Sequence, residues 1–351
     1  MSGGATPPGE PSRAAAPPLL EVCDLEVCFR TPGGTVRAVD GASLALNPGE
    51  TLAIVGESGC GKSTLARTIM GIEHAQGGQI RYAGRPMPAG GSERRALARE
   101  LQLIFQDPDA SLNPRLTIGS AVAEPLAIHR PSLSRQERRR AVDDLLRRVG
   151  IDPTLFDRFP HELSGGQRQR VCIARALSLE PRLLILDEAV SALDVSIRAQ
   201  ILNLLVALQQ ALGLTYLFIT HDLGVVRHIA HRVAVMYLGQ IVEEGPTDAL
   251  FERPEHPYTR ALLGAVLRVE ADAPRPVPGL SGDVPSPLRP PAGCRFHTRC
   301  PLAFERCSKE APQHYSLAGP APGERRARCF LAEPARPTVA RLLAQKTAGE
   351  D

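Results

Sequence analysis

Gly56-Glu57-Ser58-Gly59-Cys60-Gly61-Lys62-Ser63, followed by Thr64, fits the spacing G-x-x-x-x-G-K-[ST]. The glycines let the backbone curl so that several N–H groups converge on phosphate oxygens. A helix opening at Lys62 adds the positive end of its dipole. Lys62 can charge-pair with the β- and γ-phosphates of a nucleotide, and Ser63 can offer its hydroxyl to Mg²⁺. Cys60 lies inside this loop, where a tolerated small residue is the plain reading. Downstream, the apolar run Leu183-Leu184-Ile185-Leu186 ends in two carboxylates. Asp187 suits Mg²⁺, directly or through water, and Glu188 suits orienting or deprotonating an attacking water. Ser164-Gly165-Gly166-Gln167 reads two ways. Ser164 and Gln167 form a capping box, yet two glycines at a helix start also let backbone amides meet a phosphate. A phosphate cradle at each end of one chain predicts head-to-tail pairing. Each nucleotide would sit between one copy's loop and the other copy's Ser164 helix.

The cysteines raise a second chemistry. Cys294, Cys300, Cys307 and Cys329 fall within 36 residues, spaced C-x5-C-x6-C-x21-C. Four thiols so close argue for a metal. Zinc sites usually use paired C-x2-C knuckles, absent here, whereas longer spacings can encircle a larger cluster. Four unrelated thiols is the remaining reading.

The elements that must position these groups are legible in outline. Residues 1–18 are rich in Pro, Gly and Ala and read as disordered. Two β-prone runs, 19–30 and 35–46, flank Thr31-Pro32-Gly33-Gly34 and predict an antiparallel hairpin. Residues 51–55, 183–186 and 214–219 are almost wholly apolar and suit buried parallel strands. Residues 79–82 and 101–106 read as further strands, and 93–100 as helix. The stretch 107–163 carries helical patterns, with Ser134 and Glu137 as a capping box, and reads as a helical insertion. Asp194 stands where it can cap a helix with the apolar stripe Ile197, Ile201, Leu204, Leu205, Leu208 and Leu212, closed by Gly213. Residues 232–237 and 240–243 resemble a hairpin. From about residue 254 the composition shifts towards Pro with scattered Arg, and a boundary is placed there.

The chain has 351 residues and a formal charge of +3. That spread of charge excludes a nucleic-acid footprint. No apolar stretch reaches the roughly 18 residues of a membrane-spanning helix, and the N-terminus lacks a signal-peptide core. A soluble, cytosolic chain is expected, in which the 8 Cys would not pair as disulfides. The charge is uneven: residues 256–351 carry +5 and the remainder −2.

The ordered series GESGCGKS, Gln106, LSGGQ, LLILDE, Ser191-Ala192-Leu193-Asp194 and His221 resembles the ATP-binding-cassette (ABC) ATPases over residues 19–250. The resemblance implies an α/β P-loop NTPase core with an antiparallel β subdomain and a helical subdomain at about 107–163. It implies that Gln106 reaches Mg²⁺ and the water and senses the transport partner, that His221 contacts the γ-phosphate, and that Asp194 communicates across a dimer. Phe29 becomes the candidate for stacking on adenine, with hairpin packing as the alternative.

Phe105-Gln106-Asp107-Pro108 through Arg115, Asp187 through Asp194, and His256-Pro257-Tyr258-Thr259 before a Cys-bearing tail resemble the oligopeptide/dipeptide/nickel importers. That narrower likeness makes 19–254 the ATP-binding domain and 255–351 a C-terminal extension. It implies ATP and Mg²⁺ as cofactors and a 4Fe–4S cluster on the four tail cysteines. Implied partners are a second ATPase subunit, two transmembrane permeases and, through them, an extracytoplasmic peptide-binding protein. The implied location is the cytoplasmic face of a bacterial inner membrane. A soluble ABC ATPase with an iron–sulfur tail, or an importer of nickel or another small solute, is the alternative.

Overall fold

The computed structural model describes residues 17–88, 90–267, 282–318 and 325–334. All but the last two residues of the N-terminal segment read as disordered, and parts of the Pro-rich tail, lie outside them. Two sheets organise the chain. The first is antiparallel, in the order β2-β1-β4-β5, with β1 Leu20–Thr31, β2 Gly34–Leu46, β4 Gly77–Tyr82 and β5 Arg85–Pro86. The β1/β2 hairpin closes where expected, pairing Thr31 with Gly34. Alternating Leu20, Val22, Leu25 and Val27 face a core shared with β2, a bulge at Cys23-Asp24 keeping the apolar set inward.

The second sheet has eight strands in the order β11-β12-β10-β9-β3-β8-β7-β6. Its centre is parallel: β3 Thr51–Val55, β6 Leu101–Ile104, β7 Leu183–Asp187, β8 Thr215–Thr220 and β9 Arg232–Tyr237. Every residue of β3, β7 and β8 is buried, as strands covered on both faces must be. β10 Gln240–Pro246 returns as a hairpin with β9. The short strands β11 Tyr315–Ser316 and β12 Arg326–Ala327 then extend the same sheet, so the tail continues the sheet of the ATP-binding region.

Helices cover both faces. α1 Lys62–Ile69 follows β3, and α2 Gly91–Leu97 precedes β6. The expected helical insertion contains α3 Pro108–Ser111, α4 Ile118–His129, α5 Arg135–Arg148 and two short 3₁₀ turns. The Ser134–Glu137 capping box opens α5. α6 Gly165–Leu177 and α7 Val195–Leu212 join the insertion to the underside of β7 and β8 through one apolar core. α8 Leu223–Ile229, α9 Thr247–Glu252, α10 Pro257–Leu267 and α11 Glu305–Lys309 complete the described helices.

Two expectations are corrected around α7. Asp194 occupies its N-cap position, but its side chain makes no capping hydrogen bond. By length and composition α7 could also cross a membrane, contrary to the reading that no stretch is long enough. It is instead an amphipathic core helix: Ile201, Leu205 and Leu208 are buried while Asn203, Gln200 and Gln210 face outward.

Candidate functional site

Register brings the chemistry to one edge. Val55 pairs with Thr220 and Asp187 with Ile219, so the carboxyl ends of β3, β7 and β8 are level. The loops leaving a parallel sheet at that edge form its natural binding crevice. They carry the glycine-rich loop, Glu188 and His221, while β6, beside β7, delivers Gln106.

The loop can close only with glycines at its two tightest points. A Cβ on Gly56 would lie 2.2 Å from the Met236 carbonyl oxygen, and one on Gly61, at φ 109°, 2.1 Å from that of Ala38. Lys62 is buried, and its Nζ donates to the carbonyls of Gly56 at 2.9 Å and Glu57 at 3.0 Å. The ammonium is thus threaded through the loop it serves. Ser63 Oγ donates to Asp187 Oδ1 at 2.9 Å. Burial lifts the Asp187 pKa above the usual carboxylate range, and the Ser63 hydrogen bond opposes it. A buried carboxylate beside a hydroxyl is a hard-oxygen donor pair that fits Mg²⁺. Cys60 is buried against this loop, and desolvation raises its pKa, so it packs as a small apolar residue.

Glu188 sits one step beyond β7 at φ 50°, a left-handed conformation that costs a non-glycine residue about 1 kcal/mol or more. Its N–H donates to the Ile219 carbonyl at 2.9 Å, and its own carbonyl accepts from Ser191 Oγ at 2.9 Å and Ser191 N at 3.1 Å. The turn is therefore held from both sides. Its carboxylate Oε2 accepts from Gln106 Nε2 at 3.2 Å and meets His221 Nδ1 at 3.2 Å. Three residues read separately in the sequence converge on one oxygen.

A cavity of about 260 Å³ joins these groups. Ser58, Gly59, Cys60, Gly61, Lys62, Ser63 and Thr64 form its floor, with Gln106 and Glu188 at one end. Val36, Arg37 and Ala38 of β2, the Leu238-Gly239 turn and Pro287 form the other walls, none of them marked by a motif. Phe29 is not brought there. It pairs across the hairpin with Val36 and packs, half-buried, on the antiparallel-sheet core, leaving Val36 to line the cavity.

Ser164, Gly165, Gly166, Gln167 and Asp194 do not line this cavity either. Ser164 Oγ accepts from Gln167 N at 3.3 Å, and Gln167 Oε1 accepts from Ser164 N at 3.0 Å, completing the capping box of α6. Leu193 stands 3.9 Å from a Cβ on Gly165, so the start of α6 adjoins the turn bearing Asp194. Both Ser164 and Asp194 are exposed.

A second concavity of about 270 Å³ lies between the sheet and the helical insertion. Phe105, Ile72, Pro125 and Arg175 line it, and Ile72 and Phe105 are 53% and 42% exposed. It begins beside Gln106, so whatever occupies it can reach the Glu188 cluster through one residue.

Among the described residues the cysteines form no disulfide. Cys294, Cys300 and Cys307 each push up the pKa of Cys329, which burial above all raises to about 12. The four thiols therefore share one neighbourhood, and their chemistry is that of soft-metal ligands. Among the described residues, however, no three His, Cys, Asp or Glu side chains form a group able to hold a metal, these four included.

The ABC transporter family pattern matches residues 39–191, and that of the oligopeptide/dipeptide transporter C-terminal region matches 242–307. The chain is 51% identical over 306 residues to the oligopeptide transport ATP-binding protein OppF of Escherichia coli strain K12, covering 84% of this chain and 92% of that protein. It is 53% identical over 279 residues to the di/tripeptide transport ATP-binding protein DppF of Pseudomonas aeruginosa, covering 79% and 86%. Among solved structures, cbiO1 from Clostridium perfringens superposes with a TM-score of 0.61 at 31% identity, over 73% of this chain and 96% of that one. The ATP-binding cassette MJ0796, a dimer with ADP and Pi, superposes at 0.59 and 27% identity, over 65% and 98%. Fold and site together define an ABC ATPase. The chain belongs to the family of oligopeptide and dipeptide transport ATP-binding proteins.

Proposed function

We propose that this chain is the ATP-hydrolysing subunit of a peptide importer, working at the cytoplasmic face of a bacterial inner membrane. The observation that carries the reading is the likeness to OppF and DppF across motor and tail together, with both expected site clusters intact in the chain. Nickel import and a soluble ATPase draw no comparable support. The proposed boundary near 254 divides a motor, 19–254 with its helical part at about 107–163, from an extension at 255–351.

In the proposed mechanism, Lys62 and the loop amides of Ser58 to Thr64 hold the nucleotide phosphates, while Ser63 and Asp187 hold Mg²⁺. Mg²⁺, when bound, neutralises charge developing on the phosphate oxygens. Glu188 takes up the proton of the attacking water, Gln106 orients its carboxylate, and His221 supports the same oxygen and the γ-phosphate. Ser164, Gly165, Gly166 and Gln167 of a second copy or paralogue close the far side of the nucleotide, with Asp194 at the seam. A dimer explains why Ser164 and Asp194 are exposed and why none of the five lines the cavity. The concavity beside Gln106 receives a short helix from a permease, which makes Gln106 the sensor of the partner.

The tail thiols Cys294, Cys300, Cys307 and Cys329 are proposed to hold a metal centre, a 4Fe–4S cluster ahead of zinc. Support comes from the soft-donor chemistry of four thiols in one neighbourhood, which would have to draw closer together to hold a metal, and a structural staple is the assigned role. Iron and zinc ratios in anaerobically purified protein test this: stoichiometric zinc in a colourless protein overturns the iron–sulfur reading. Co-expression with the two cognate permeases tests the function. Co-purification, with ATP turnover stimulated by a peptide-loaded binding protein, is expected. A monodisperse ATPase that ignores the permeases overturns the importer reading.

A further inference from the structure

Cys294-Arg295-Phe296-His297-Thr298-Arg299-Cys300 places two arginines, four residues apart, between two of the tail cysteines. Arg295 reaches the Leu238 wall of the nucleotide cavity, and Arg299 reaches Glu57, the loop residue next to the Ser58 end of its floor. Arg299 is only 7% exposed. Its Nη1 donates to Glu57 Oε2 at 2.8 Å and its Nη2 to Glu57 Oε1 at 3.0 Å, a two-pronged pair of the strongest geometry. The Glu57 N–H donates to Tyr258 Oη at 3.0 Å. Tyr258 is fully buried in a cluster with Tyr237 and Phe296, at ring-centre distances of 4.6 and 5.4 Å. Glu57 is the second residue of the phosphate loop, and its carbonyl oxygen accepts from Lys62 Nζ. All three polar parts of Glu57 are therefore spoken for: carboxylate and N–H by the extension, carbonyl by the loop lysine.

The Leu238-Gly239 turn is held by the other arginine. Arg295 donates to the Leu238 carbonyl and to Asp40, and the Gly239 N–H donates to the Cys60 carbonyl at 2.8 Å. Leu238 and Gly239 line the cavity.

We propose that the C-terminal extension is a structural part of the nucleotide site, with Arg299 and Tyr258 as positioning residues for the phosphate loop. They fix Glu57, and through its carbonyl they set where the Lys62 ammonium stands. The loop is thereby curled before the nucleotide arrives, which removes an ordering cost from binding. The inference rests on the reading of Gly56 to Ser63 as the nucleotide loop, and the controls separate the two.

Mg·ADP affinity by titration calorimetry, ATP turnover and melting temperature are measured on the full chain. The variants are Arg299→Gln, Arg299→Lys, Tyr258→Phe, Glu57→Gln and the double variant Arg299→Gln/Glu57→Gln. Arg299→Gln is expected to weaken Mg·ADP by about tenfold and to raise KM more than it lowers kcat. Arg299→Lys keeps the charge without the fork and falls between. The double variant is no worse than Arg299→Gln alone, because one residue acts through the other. Tyr258→Phe retains the packing, and it decides the matter should Arg299→Gln fail to fold. Lowered melting with unchanged Mg·ADP affinity in Arg299→Gln and Tyr258→Phe overturns the proposal. Lys62→Ala is the control. If it binds Mg·ADP normally, the reading of the loop falls first; if it loses binding while the tail variants do not, only this inference falls.

Discussion

At Glu188 one carboxylate oxygen meets Gln106 Nε2 and His221 Nδ1, both at 3.2 Å, on a backbone turned into the left-handed region. Such a turn points the side chain off the end of its strand and towards the loop. Glu188→Gln keeps the shape and loses the base, so ATP turnover should drop by about a hundredfold or more. ATP-bound pairs of the chain should accumulate on size exclusion, and unchanged turnover would remove Glu188 from its role. Ser63→Ala should raise the Mg²⁺ concentration needed for half-maximal turnover, because Asp187 then lacks its 2.9 Å partner. These residues were legible because each belongs to a short run with its own spacing. Phe29 was not. Phe29 and Val36 are cross-strand partners on one face of the sheet, and Val36 lines the cavity because β2 is the outer strand, a placement not written in the local run.

Two helices open with the same device. Ser134 and Glu137 cap α5, and Ser164 and Gln167 cap α6, each by a reciprocal pair of hydrogen bonds. Capping is worth about 1 kcal/mol in either place. Ser134→Ala should therefore lower stability by about that amount in urea titration and leave ATP turnover unchanged. Ser164→Ala should cost the same stability and also reduce turnover, if the α6 start meets phosphate across a dimer. Equal turnover in both variants would reduce Ser164 to a cap. Helices, hairpin and buried strands followed from periodicity and turn residues. The position assigned to Asp194 was right, but its side chain makes no capping hydrogen bond.

The chain's charge asymmetry has a physical account at the scale of the whole molecule. Four tail arginines pair with acids of the motor: Arg295 with Asp40, Arg299 with Glu57, Arg325 with Glu243, and Arg326 with Glu244. These four pairs set part of the tail's positive excess against acids of the remainder. Glu244 is buried and serves both Arg232 and Arg326. Glu244→Gln should destabilise by about 3 kcal/mol or more, read as a lowered denaturant midpoint. The same interface holds His256, whose Nδ1 accepts the Tyr258 N–H at 3.1 Å. Burial pushes its pKa down to about 3, against about 6.5 when unfolded. The folded state therefore resists protonation. Its contribution to stability is complete above about pH 6.5 and is lost as pH falls towards about 3. His314, lowered to about 4, acts in the same direction. His256→Gln should flatten the fall in melting temperature between about pH 7 and about pH 4.

By itself the sequence determined the motif set, the order of the elements and the family, because phosphate loops, strand-end carboxylates and helix caps are local patterns with fixed spacing. Tertiary structure alone decided what lines the cavity and what contacts the loop. Parallel register levels the strand ends, strand order puts Val36 rather than Phe29 at the cavity, and sheet extension carries the tail back to the site. Contacts such as Arg299 with Glu57 span more than two hundred residues. No local periodicity encodes a pairing of that range, since it exists only once the sheet has closed.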